Sequence, residues 1–168
     1  MLGHITTGLD NGFMHPFLGP DHLLAMIAVG ILAVTLQRAL LVPATFVVAM
    51  VVGGALGMTG VSLPLTETTI VLSVLALGGA LVAGQLVRPE VALGLVAIAG
   101  IAHGHAHGAE APAAAHPLTY VAGFVFATVL LHTLGVAVGV GVRSRPAVRA
   151  TFGTLIAAAG VGLIVGVG

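Results

Sequence analysis

The chain has 168 residues, 58% of them hydrophobic and 6% charged, with a formal net charge of zero and a mean hydropathy of +1.20. A soluble domain of this size cannot hide so much apolar surface, so composition defines an integral membrane protein. The charge balance offers no electrostatic footprint for nucleic acid. Cysteine is absent, which excludes disulfides, thiolate metal sites and thiol redox chemistry; lysine is absent too, so no GxxxxGK[ST] phosphate loop exists.

Polar breaks and proline or arginine punctuation divide the sequence into six apolar stretches. They run from Gly12 to Leu36, Leu40 to Gly60, Leu63 to Val87, Val91 to Gly108, Pro117 to Val142 and Ala147 to Val167. Each is near the ~20 residues that cross ~30 Å of hydrocarbon. None shows the period-two alternation of a barrel strand. The expected fold is therefore all-α: one domain over residues 1–168, a bundle of six transmembrane helices.

Arg38 falls between stretches one and two, Arg88 between three and four, and Arg143, Arg145 and Arg149 between five and six. All basic side chains thus share one side, which the positive-inside rule makes the cytoplasm. Both termini are then extracytoplasmic. An outward N-terminus so close to the first span is expected of a chain whose signal peptide has been removed; a first helix inserted as a reverse anchor is the alternative. Small-xxx-small spacings at Gly53/Gly57, Ala80/Gly84, Gly135/Gly139 and Gly162/Gly166 let helix backbones approach closely, within the bundle or between copies in a homo-oligomer.

Histidines and carboxylates gather on the side opposite the arginines. His15, Asp21 and His22 lie in HPFLGPDHLLAM, and His103, His105, His107 and Glu110 in HGHAHGAE. A titratable group in hydrocarbon is costly and marks function by default, and imidazole with carboxylate is a transition-metal ligand set. At ~1.5 Å per helical residue, Asp21 and His22 stand ~23 Å above Gln37, while His103 and His107 stand ~21 and ~27 Å above Pro89. Two remote segments therefore bring ligands to one level. His15, and Glu67 at the start of stretch three, lie nearer the outer boundary.

Pro16 and Pro20 each lack an N–H, so the first helix is expected to break near them and Met14 to Gly19 not to be regular helix. Such a break is tolerated at membrane depth where it lines a cavity. Met26, four residues after His22, is on the same face and could add a thioether. His103 and His107 are an i, i+4 pair on one face, and His105 points away from them. Gly100, Gly104 and Gly108 keep that stretch slim. Against these stand plainer readings: a hydrogen-bonded His132, with a relay or second site as its alternative, a Glu67 that only caps its helix, and surface roles for His4, Asp10 and His116.

At HPFLGPDHLLAMIAVG and HGHAHGAE the chain resembles the HupE/UreJ family of small nickel permeases. Its motif His-Pro-x-x-Gly-x-Asp-His, followed by methionine and glycine, is His15, Pro16, Gly19, Asp21, His22, Met26 and Gly30. Its motif HG-x-AHG-x-E is His103, Gly104, Ala106, His107, Gly108 and Glu110. The resemblance implies uptake of nickel, sometimes cobalt, for hydrogenase or urease maturation, often with a cleavable signal peptide. The expected protein is a secondary, non-ATP transporter, not an enzyme, with no prosthetic group. Nickel(II), or else cobalt(II) or zinc(II), is its substrate, and His15, Asp21, His22, Met26, Glu67, His103, His107 and Glu110 are the candidate ligands. A membrane metallo-enzyme or a metal-binding accessory protein is the alternative class.

Overall fold

The computed structural model describes residues 2–111 and 116–166, and among them every regular element is helical. The helices are α1 (Leu2–Leu18), α2 (Pro20–Thr35), α3 (Leu41–Met58), α4 (Thr66–Ala83, extended by a 3-10 turn to Leu86), α5 (Pro89–Ala109), α6 (Pro117–Val142) and α7 (Pro146–Gly166). From α3 onward, five helices are individually long and apolar enough to cross a membrane; α1 and α2, bent by 82°, pass the same test together, which makes six spans if that pair is one broken span. The chain is a multi-pass membrane protein.

The break is tighter than the prolines suggest. Met14 to Leu18 is α-helix, contrary to the expectation of irregular backbone, and α1 begins at Leu2 rather than near Gly12. Pro16 costs one backbone hydrogen bond, but α1 is held against α6 through Gly8 and Gly12, whose missing Cβ atoms let it approach Thr119 and the Tyr120 carbonyl. Gly19 alone is non-helical, with φ −100° and ψ 117°. That extended conformation is what a residue before proline prefers, and Pro20 then opens α2 at the position where its absent N–H is not needed.

Helix α2 is the central post: Ala25, Met26 and Ala28 through Ala33 are all buried. It runs beside α6, where Gly30 faces the His132 carbonyl and Gly135 faces Ile27. Helices α3 and α5 lie parallel, interlocked by glycines: Gly53 against Ile101, Gly57 against the His105 carbonyl, Gly104 against Met50 and Gly108 against Gly54. Any Cβ there would drive two backbones apart, so this seam sets how deeply α5 seats. Helices α4 and α7 pair through Gly78, Gly153 and Gly160. The small-residue spacings of α3 and α6 thus serve packing within the bundle. Gly84 instead ends α4 with φ 62°, and Gly162 and Gly166 meet nothing within 4 Å.

The connections α2–α3, α4–α5 and α6–α7 carry the arginines, with Arg149 in the first turn of α7, and define one end of the bundle. The α1–α2 bend, the α3–α4 loop and the close of α5 define the other. At the arginine end a cavity of about 600 Å³ opens between α2, α6 and α7, bordered by Gln37, Gln85, Arg143 and Arg149.

Candidate metal centre

Four imidazoles converge where the α1–α2 bend meets the last two turns of α5. His22 is central, its ring centroid 4.7 Å from that of His103 and 4.4 Å from that of His107. The His15 ring, from the last turn of α1, lies 4.5 Å from His107 and 6.4 Å from His22. The i, i+4 spacing on α5 aims His103 and His107 the same way, and the 82° bend brings His15 over the start of α2.

Hydrogen bonding fixes which nitrogens are available. A neutral imidazole has one N–H and one lone pair. His22 Nδ1 is 2.7 Å from Asp21 Oδ1, and a carboxylate oxygen only accepts, so Nδ1 holds the hydrogen and Nε2 the lone pair. Likewise His103 Nδ1 donates to the Ala99 carbonyl at 2.8 Å. Both Nε2 atoms, and both nitrogens of His107, are buried with no hydrogen-bond partner among the described residues. An unpaired buried polar atom costs about 1–3 kcal/mol, so three such rings, His103 and His107 gathered around His22, are poor packing but a good ligand set.

The carboxylates hold different places. Asp21, in the first turn of α2, accepts from the His22 backbone N–H at 2.9 Å as well as from its ring. It thus orients His22 as carboxylates orient metal-ligating histidines. Glu110 closes α5 and sets Oε2 3.4 Å from His15 Nε2. His15, His107 and Glu110 each offer a ligand atom within 4.8 Å of the other two. The site therefore has two tiers joined by His107. His15 and Glu110 form the tier nearer solvent, and His22 and His103, with Asp21 behind them, form the deeper one.

Gly19 is part of this construction. A Cβ on it would stand 2.7 Å from Asp21 Oδ1 and 2.8 Å from His22 Nδ1. Its role is space, since its φ is one that any residue adopts.

Of the eight residues singled out in the sequence, His15, Asp21, His22, His103, His107 and Glu110 come together. Met26 is fully buried within the apolar core, where its side chain packs. Glu67 is exposed in the first turn of α4, outside the group formed by His15, His107 and Glu110. His105 does point away: its Nε2 donates to the Val61 carbonyl at 2.6 Å, and Thr66 Oγ1 lies 3.4 Å from its Nδ1. The turn through Gly60, at φ 77°, presents that carbonyl. Asp10 and His116 are exposed.

The motifs in the sequence do not single out the aromatic walls of the site. Phe124 sits 3.9 Å from His107, Tyr120 6.2 Å from His15 and Phe46 5.6 Å from His103, centroid to centroid. A signal was present in the four-residue spacing of Tyr120, Phe124, Thr128 and His132, which puts them on one face of α6.

The described residues thus define a multi-pass helical membrane protein in which imidazoles and carboxylates converge between the helices. The chain belongs to the HupE/UreJ family: the family model described as HupE / UreJ protein matches residues 2–163. Protein HupE of Rhizobium leguminosarum bv. viciae is 44% identical over 161 residues, covering 92% of this chain and 83% of its own. The family is one of hydrogenase- and urease-associated nickel/cobalt transporters. No solved structure matches the chain.

Proposed function

We propose that this protein is a secondary permease that carries nickel(II) into the cytoplasm, for hydrogenase or urease maturation. The observation that carries the reading is the set of bare imidazole lone pairs at His22 Nε2, His103 Nε2 and His107. They are borderline-soft donors suited to nickel and cobalt, and nearby carboxylates offset part of the cation's charge. With the arginine end in the cytoplasm, the histidine end faces outward and both termini are extracytoplasmic. Metal is taken from solvent by His15 and Glu110, handed through His107 to His22 and His103, and released toward the cavity bordered by Gln37 and Gln85. Asp21 keeps His22 in the ligating tautomer throughout.

An inward-negative potential supplies the drive: a divalent ion gains about 4.6 kcal/mol per 100 mV, twice the single-charge figure. Purified protein in metal-free liposomes, given external nickel and an inside-negative potential, is expected to accumulate luminal nickel, with cobalt competing. Saturable binding without luminal metal would overturn transport. Zinc preferred over nickel by about tenfold, a 1.4 kcal/mol difference, would overturn the metal assignment.

A further inference from the structure

His132 lies outside both motifs and outside the cluster at the end of α5, yet its surroundings are those of a ligand. It is 3% exposed, and neither ring nitrogen has a hydrogen-bond partner among the described residues. Its backbone carbonyl abuts Gly30 of α2, eight residues or ~12 Å further from the histidine end than His22. Side chains lean toward the N-terminus of their helix, and α6 begins at the histidine end, so the ring leans back toward the cluster. Phe46 stands between: its ring centroid is 5.6 Å from His103 and 5.1 Å from His132, edge-to-face with the latter.

The route between them is not uniformly apolar. Tyr120, Phe124, Thr128 and His132 follow one another at four-residue intervals on α6, all buried. Thr128 Oγ1 lies 3.6 Å from Met50 Sδ, a thioether from α3. The Thr128 hydroxyl, which also donates to the Phe124 carbonyl at 2.9 Å, the Met50 thioether and the His132 imidazole thus line the interior beyond the cluster, where the buried face of α2 is apolar. A dehydrated divalent ion cannot cross such a core without lone pairs at intervals.

Resting on the permease reading above, we infer that His132 is a second, inner binding station for the divalent metal, and that Phe46 is the partition separating it from the outer histidine cluster. The ion leaves His22 and His103, passes the Phe46 ring, and exchanges one imidazole for another before reaching the arginine-end cavity. Because the outer ligands remain, loss of His132 should spare capture and slow passage.

The test uses the full-length protein in metal-free liposomes, with nickel(II) as probe and equilibrium nickel binding measured in detergent on the same samples. In His132→Phe, which keeps volume and removes both nitrogens, nickel binding should stay within about twofold of wild type while influx falls about tenfold or more. His132→Cys should recover influx and raise the cadmium-to-nickel ratio, because a thiolate is softer than imidazole. Equal influx in His132→Phe and wild type would overturn the inference, leaving His132 a packed or water-bonded side chain. So would a His132→Cys protein with an unchanged metal ratio, since a structural role would not move selectivity. If His132→Phe fails to fold, the Cys variant alone decides. Wild-type liposomes that take up no nickel would instead sink the permease reading itself.

Discussion

The Asp21 carboxylate and the His22 imidazole, neighbours in sequence, are 2.7 Å apart at Oδ1 and Nδ1, and act as one unit at the start of α2. The bond fixes the tautomer that leaves Nε2 free, and it places negative charge at a helix N-terminus, where the macrodipole favours it. In Asp21→Asn the side-chain oxygen still accepts from His22, but the charge is gone. Nickel affinity should fall about 10- to 100-fold, the usual cost of losing a partner behind a metal ligand. In His22→Ala no deep-tier site should remain. Equilibrium nickel binding to purified variants checks both, and an Asp21→Asn protein that binds as wild type would show that the charge is idle.

Gly19 should be intolerant for lack of room. The Cβ of Gly19→Ala falls on Asp21 Oδ1 and His22 Nδ1, so that variant should fold yet bind nickel poorly, because the pair must rotate out of register. Gly94→Ala is the control: its Cβ meets nothing within 4 Å, and alanine gains about 1 kcal/mol of helix propensity over glycine. Unchanged nickel affinity in Gly19→Ala would remove the packing argument.

His105→Ala should lower stability without touching the metal. Its ring ties α5 to the α3–α4 loop through the Val61 carbonyl, and losing such a hydrogen bond costs about 0.5–1.5 kcal/mol. Thermal unfolding in detergent should show a lower midpoint, while nickel bound per folded molecule stays at the wild-type value. The sequence alone places His105 on the face of α5 away from His103 and His107; the hydrogen bond to Val61 gives it a structural role there.

Much of this was legible without coordinates, because hydropathy and arginine placement report directly on spans. The same holds for His103 and His107, whose shared face follows from a spacing of four on any helix. The bend was only half legible. Pro16 and Pro20 announce a break, but its confinement to Gly19 depends on α1 resting against α6 through Gly8 and Gly12, a tertiary contact that overrides the local preference before Pro16. Met26 shares a helical face with His22, and Glu67 shares the outer level with His15; in the structure Met26 packs in the apolar core and Glu67 is exposed at the start of α4, and neither placement follows from spacing. The walls built by Phe46, Tyr120 and Phe124 depend on how three helices meet.

The most direct test compares two histidines two residues apart on α5. Nickel influx into metal-free liposomes is measured for His107→Ala and His105→Ala at equal amounts of folded protein. The site described here places His107 in van der Waals contact with His22 and His15 and turns His105 toward Val61. His107→Ala should therefore abolish influx and His105→Ala should retain most of it. Equal loss in both variants, or greater loss in His105→Ala, would contradict the placement of the metal between α1, α2 and α5.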